Sequence, residues 1–413
     1  MPHDHDSSLC YSSADRPNRC RCLDAKNLFS DWFNTALTIV ILVVSLVILR
    51  SLLIWATTVA QWRVIPANLP LYFVGRFPAA QYWRMWTVLG MIATLFGLTW
   101  GILARNVPKL FSRGVLIGVG IVALIIALFP MTVPYSEYPR SVPARLLLFA
   151  AEILLLAGAW AGRALGKQVP TIGRWLSLAW FICFLLTLWL MMGSLGLKPV
   201  STSNWGGLLL TIFMAVVSIF LCFPLGVLLA LGRQSSLPVV RVFSVLYIEI
   251  IRGIPLLAIL FIGQNMIPLF LPPGVRLDNI FRAIIGLTLF SAAYLAENIR
   301  GGLQAIPRGQ TEAANALGLN PILTTLLIVL PQALKISIPA IVGQFISLLQ
   351  DTTLLSIVGI IELLGITRSV LANPEFIGRY WEGYTFIGVI YWILCYAMSW
   401  GSRRLEKQLN TGR

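Results

Sequence analysis

Five ionisable side chains stand in or beside long apolar runs in the second half of this sequence: Glu249, Arg252, Glu297, Arg300 and Asp351, the last followed directly by Thr352 and Thr353. An ionised group costs on the order of 3 kcal/mol in hydrocarbon unless it meets a partner or a cavity, so each position needs a purpose. Glu249 and Arg252 are three apart, as are Glu297 and Arg300, which puts each pair on one helix face. An acid beside a base at membrane depth can hold the ammonium and carboxylate of a zwitterionic solute, above all where a helix is broken. Pro255, two residues after Gly253, is placed to break that helix and free backbone groups. At about 1.5 Å per residue, Arg252 falls about 16 Å along its helix from Arg241, near mid-membrane. The plainer reading of the same pairs, and the favoured one, is that they only lock helices together. Asp351 has no cation near it in sequence, which favours a place on a solute path, flanked by Thr352 and Thr353.

These residues are positioned by helices in a bilayer. Of 413 residues, 58% are hydrophobic and 11% charged, too apolar a balance for a soluble domain. The net charge of +15 does not point to nucleic acid, because the Lys and Arg residues punctuate apolar runs instead of forming stripes. The expected fold is an all-α integral membrane protein with about ten spans of about 20 residues. Five fall at 34–57, 86–103, 114–131, 143–162 and 175–192. Five more fall at 205–231, 242–270, 281–299, 335–349 and 384–401. Threading them with the N-terminus inside collects most cations on one face, among them Arg16, Arg19, Arg21, Lys26, Arg105, Lys109, Arg113, Arg163, Lys167, Arg174, Arg233, Arg241, Arg403, Arg404, Lys407 and Arg413. Both termini are therefore expected in the cytoplasm. Arg63, Arg76, Arg84, Arg140 and Arg276 fall on the opposite face.

The expected organisation is a polar tail at 1–33, an N-terminal extension of about five spans at 34–200, a core at 201–404 and a short tail at 405–413. No secretory signal is visible, and the first span reads as a retained helix. Cys183, Cys222 and Cys395 lie in apolar runs, and Cys10, Cys20 and Cys22 in the tail with His3 and His5 lack the spacing of a structural zinc site. Residues 161–168 approach a phosphate loop at Gly166-Lys167, but Ala161 stands where the first Gly belongs and Gln168 where Ser or Thr should hold magnesium. The chain supplies no ATPase of its own, and no nucleophile-base pair suggests a membrane enzyme.

The segment 306–331, IPRGQTEAANALGLNPILTTLLIVLP, carries a different signal. Pro307 and Gly309 stop the preceding span, Gln310 to Leu317 favours helix, Gly318 can end it in the left-handed conformation, and Pro321 blocks its continuation. Glu312 near its start suits the helix dipole. Ala313, Ala314 and Ala316 leave a slim surface on this short helix, either a docking knob or an ordinary interfacial helix.

The spacing Glu312-Ala313-Ala314, three residues, Gly318, nine residues, Ile328, one residue, Leu330-Pro331 resembles the EAA loop of permease subunits of ATP-binding-cassette importers. GGLLLTIFMAVVSIFLCFPLGVLLALGR from Gly206, YIEIIRGIPLL from Tyr247, AYLAENIRGGLQAIPRGQTEAA from Ala293 and LLQDTTLLS from Leu348 look like the polar amino-acid permeases, the histidine, glutamine and general L-amino-acid importers. The resemblance spans about Trp205 to Arg404. It implies a type I importer core of five helices in a bacterial plasma membrane. Glu312, Ala313, Ala314, Leu317, Gly318, Leu330 and Pro331 would couple to a separate ATPase. The implied partners are an ATPase dimer carrying ATP and magnesium, a second homologous permease, an extracytoplasmic binding protein and an L-amino acid. A secondary carrier working alone is the rival reading, and it has no need of such a loop.

Overall fold

The computed structural model of the protein describes residues 31–106, 110–129, 144–194, 196–272, 274–275 and 277–410. The tail cysteines, histidines and cations lie outside these, as do Lys109, Arg140, Arg276 and Arg413. Among the described residues every regular element is helical, with one isolated parallel bridge between Gly207 and Glu362.

Two compact units divide the chain, Met1–Gln61 and Trp62–Arg413. The first holds α1 (Trp32–Ile54), continued by a π turn at Trp55–Val59. It is apolar on all sides with no buried residue, the surface of a helix solvated by lipid.

The second unit begins with α2 (Val64–Ala67) and α3 (Leu69–Val74), then α4 (Tyr82–Leu103), α5 (Arg113–Leu128), α6 (Ala144–Gln168) and α7 (Leu176–Met192). Helices α4 and α6 meet through matched small-xxx-small faces, Gly97 and Gly101 on one, Gly158 and Gly162 on the other. A Cβ on Gly97 would lie 2.1 Å from the Leu155 carbonyl oxygen, and one on Gly162 2.3 Å from that of Leu98. Only glycine permits this backbone approach, which replaces the hydrophobic drive that lipid cannot supply.

Helices α8 (Gly207–Arg233), α9 (Pro238–Gly253), α10 (Leu256–Phe261), α11 (Ile267–Phe270) and α12 (Asn279–Gln304) follow. The chain closes with α13 (Arg308–Ala316), α14 (Pro321–Leu323), α15 (Leu330–Asp351), α16 (Leu363–Leu371) and α17 (Tyr380–Asn410). Helix α12 is the axis: 61% of its most apolar window is buried, far above any other span. Its small residues Ala292, Ala293, Ala296 and Gly302 let α8 and α15 close in on it.

Among the described residues eight helices are long and apolar enough to cross a membrane. The pair Pro238–Gly253 and Leu256–Phe270 qualifies only when taken together and is bent by 100°, and Arg113–Leu128 is a shorter apolar helix. Each predicted span thus has a helical counterpart, with three differences of physical interest. The run 242–270 is not one rod. Ile254 is extended and Pro255, which lacks an N–H, opens the next helix after the bend. The run 114–131 gives 16 helical residues, about 24 Å, short of a hydrocarbon core of about 30 Å. The run 335–349 is the middle of a helical stretch reaching from Pro321 to Ser356. There Pro321 starts a helix: Asn320 caps it by accepting from the Leu323 N–H at 2.8 Å, and proline at the first position lacks only a donor that would go unused. The π turn Thr324–Val329 leads into Leu330 and Pro331, and this local loosening accommodates the proline without ending the helix.

Residues 62–77, between the first two expected spans, pack into the core. Val64, Ile65, Tyr72 and Phe77 are buried, and Val64, Ile65 and Tyr72 join Leu363, Ile366, Val370 and Ile387 in one apolar cluster. Tyr72 meets Phe386 edge to face at 5.1 Å. Arg84, assigned from sequence to the face opposite the cytoplasm, lies in the first turn of α4 at 2% exposure and donates to the Lys198 carbonyl at 2.9 Å.

Candidate functional site

The charged residues of the core assemble across three helices. Glu297 on α12 is the hub. Arg300, one turn on, grips it with Nε at 3.1 and 3.0 Å from its two oxygens. Arg233, the last residue of α8, reaches Glu297 Oε1 at 2.9 Å and Glu249 Oε1 on α9 at 2.9 Å. Arg252 on α9 lies 3.5 Å from Glu297 Oε2 and 5.5 Å above the Tyr294 ring. The Glu297 side chain is only 13% exposed and meets three guanidiniums, whereas that of Glu249 is 55% exposed with one. The expected partnership within α9, Glu249 with Arg252, gives way to pairing between helices. The reason is the close crossing of α8 over α9, where a Cβ on Gly232 would lie 2.2 Å from Ser244 Oγ, so Arg233 arrives beside Glu249.

The same contact places Arg252 within the core: it shares Glu297 with Arg233 and Arg300, two turns before the end of the helix Asn279–Gln304 that leads into the 306–331 segment.

Asp351 stands elsewhere. Asn298, next to Glu297, donates to the Ala340 carbonyl at 3.3 Å, and Asp351 is 11 residues farther along α15, about 16 Å. Among the described residues no hydrogen bond or ion pair reaches its half-buried carboxyl group. It closes α15 before the 3-10 turn Thr352–Ser356. Thr352 is buried and donates to the Leu349 carbonyl at 2.6 Å, while Thr353 is half-buried and donates to that of Gln350 at 2.8 Å. The structure therefore keeps Asp351, Thr352 and Thr353 apart from Glu249, Arg252, Glu297 and Arg300.

Helix α13 is the short element expected at 310–317, beginning two residues earlier and ending one earlier. Pro307 sits at its N-cap, and Glu312 is its fifth residue, past the first turn where the dipole would help it most. The C-terminus is closed by paired bonds, Leu319 N–H to the Ala314 carbonyl at 3.1 Å and Gly318 N–H to that of Asn315 at 2.9 Å. This Schellman closure requires the left-handed conformation that Gly318 adopts, φ +79°. Ala314 is buried, and Gln332 anchors the turn by donating to Gln310 Oε1 at 3.1 Å. Glu312, Ala313 and Gly318 are exposed, and Leu317 is 82% exposed. Leu330 and Pro331 lie in the helix that backs this projection.

Arg233 and Glu362 are the residues that sequence reasoning passed over. Arg233 looked like an ordinary interfacial cation at the end of an apolar run. Glu362, fully buried, caps α16 by accepting from Leu364 and Gly365 N–H at 2.8 and 2.9 Å. Burial pushes its carboxyl group up to about 7, against the lowering effect of these bonds, Tyr391 and Arg368.

Comparison with known proteins agrees with these features. Residues 222–411 match the family described as binding-protein-dependent transport system inner membrane component. The inner membrane amino-acid ABC transporter permease protein YhdY of Escherichia coli is 45% identical over 249 residues, 60% of this chain and 68% of that protein. The glutamate/glutamine/aspartate/asparagine transport system permease protein BztC of Rhodobacter capsulatus is 36% identical over 93% of this chain and 92% of its own, so its match includes the N-terminal extension. An amino acid ABC transporter crystallised with histidines aligns at 30% identity with a TM-score of 0.45, over 49% of this chain and 92% of that one. The chain belongs to the family of binding-protein-dependent transport system inner membrane components, the multi-helix permease subunits of ABC transporters.

Proposed function

We propose that this permease imports L-amino acids and is driven through α13 by a separate pair of ATPase subunits, which carry the ATP and magnesium. The observation that carries this reading is the projection of Glu312, Ala313, Leu317 and Gly318 from a rigidly closed short helix whose spacing to Leu330-Pro331 is that of the EAA loop. A short helix tied to α12 and α15 by tight corners can pass rigid-body motion to both. The names of the relatives YhdY and BztC support amino acids as cargo. A second homologous permease completes the path in a heterodimer, and an extracytoplasmic binding protein delivers the solute. Both termini lie in the cytoplasm, in a bacterial inner membrane.

Within this reading Asp351 faces the path, where its unpaired carboxyl group can meet a solute ammonium. The Glu249, Arg252, Glu297 and Arg300 group, with Arg233, serves first as a lock near the coupling loop, its most buried carboxylate being already neutralised. Reconstitution of the chain with its partners should give uptake of labelled L-glutamine or L-glutamate that needs ATP. Uptake by the single purified chain on a proton or sodium gradient would overturn the proposal. Asp351→Asn should change uptake kinetics without loss of assembly; unaltered kinetics would remove Asp351 from the path.

A further inference from the structure

We infer that Glu362 is a positioning residue for transport, holding the Thr352–Ser356 turn beside Asp351 through the hydroxyl of Tyr391. The inference rests on the reading of Asp351 as a path residue for its transport consequence, but not for its geometry.

Four elements meet around Glu362, two of them at its carboxyl group. Its Oε1 accepts from Gly365 N–H at 2.9 Å, and its Oε2 from Leu364 N–H at 2.8 Å and from the Tyr391 hydroxyl of α17 at 3.3 Å. The Tyr391 hydroxyl also lies 3.4 Å from Thr352 Oγ1. On the other side Gly207 N–H donates to the Ile361 carbonyl at 3.2 Å, and Leu363 N–H to Thr211 Oγ1 of α8 at 3.1 Å. Thr211, Thr352 and Glu362 are all fully buried.

A helix cap needs only the two backbone bonds, and Ser, Thr, Asp or Asn would serve with a shorter side chain. The longer glutamate does more, because Oε2 is shared between the cap and Tyr391, whose oxygen packs 3.4 Å from that of Thr352 on the turn after Asp351, each hydroxyl proton being given elsewhere, to Glu362 and to the Leu349 carbonyl. In a buried setting such shared bonds reinforce one another, and removal of one member leaves the others unsatisfied. Tyr391 thus touches both Glu362 and the Thr352 turn while taking none of the backbone bonds of the cap.

That separation gives the test. Tyr391→Phe leaves the Glu362 cap intact and removes the hydroxyl that touches the turn, whereas Glu362→Gln disturbs both. Hydrogen exchange on the purified full chain in nanodiscs should show the 352–356 amides exchanging about fivefold faster in either variant, the worth of one hydrogen bond. Amides of α16 should loosen in Glu362→Gln alone, and the double variant should show no further gain at 352–356. In the reconstituted complex, KM for labelled L-glutamine or L-glutamate should rise severalfold in both variants while the ATPase subunits still co-purify. Unchanged exchange at 352–356 in Tyr391→Phe, or additive effects in the double variant, would overturn the positioning role. Faster exchange with an unchanged KM would retain the geometry and refute the placement of Asp351 on the path.

Discussion

Gly75 and Gly206 meet backbone to backbone: a Cβ added to Gly75 would lie 2.4 Å from the Gly206 Cα. Gly75 also holds φ +65°, so two constraints coincide there. Gly75→Ala should therefore lower stability by more than the roughly 1–2 kcal/mol of left-handed strain alone, because the obstacle is backbone that cannot rotate away. Gly378, at φ +86° with open space around it, is the control that bears only the conformational cost. Thermal melting of the two variants in detergent compares them, and equal losses would show that residues 62–77 can withdraw from the core.

That contact marks a boundary of what could be read from sequence. The apolar runs revealed every span because membrane length and hydropathy are local properties. Gly318 was legible for the same reason, since a helix stop needs only its own neighbours. The burial of Tyr72 against Phe386 depends on residues far apart in the chain, and Pro66, Pro70 and Pro78 interrupt the apolar segment before α4 so that it matches no span. Arg233 likewise became a partner of Glu297 only through the Gly232–Ser244 crossing. Sequence spacing could propose pairs within one helix, of which Glu297–Arg300 is kept, whereas Arg233 and Arg252 reach Glu297 from other helices. Glu362 gave no sign because a buried glutamate cap looks, in sequence, like any glutamate between two apolar stretches.

The asymmetry of the charged cluster predicts an order of damage. Removing Glu297 strands Arg233, Arg252 and Arg300 around a vacated acceptor, and breaking such a partly buried group costs about 3–5 kcal/mol. Removing Glu249, more than half exposed and touching Arg233 alone, costs within about 1 kcal/mol. Glu297→Ala should melt well below Glu249→Ala, and Arg233→Ala should fall between them because Arg252 and Arg300 still serve Glu297. Equal melting of the three variants would show that the cluster is not a lock.

Glu362 predicts a pH dependence with a definite sign. Its carboxyl group is raised to about 7 by burial, facing Tyr391 of α17 and Arg368 of its own helix. A raised folded value means that the stabilising contribution is complete below the unfolded value near 4.5 and is lost as pH rises through about 7. The loss is of the order of 3 kcal/mol. The melting advantage of the wild type over Glu362→Gln should be greatest near pH 4.5 and narrow by pH 8. A difference that stays constant across this range would show that Glu362 titrates as an ordinary surface acid.

Gly318 separates folding from coupling. A Cβ there meets nothing within 4 Å, so steric crowding inside this chain does not oppose a larger residue. What opposes it is φ +79°, which costs a β-branched residue at least the roughly 1–2 kcal/mol of the left-handed region. The cheapest relief is to undo the Schellman closure and let α13 run on or fray, swinging exposed Leu317 out of place. The long helices have no contact at Gly318 and should insert and melt as before. Gly318→Val should thus keep expression and membrane insertion while ATPase co-purification and ATP-driven uptake fall at least tenfold. Gly318→Asn, which tolerates the left-handed conformation, should restore most of both. If valine and asparagine behaved alike, the loss would come from the new side chain meeting the ATPase surface and not from the lost helix stop. If neither had an effect, α13 would not be the docking element.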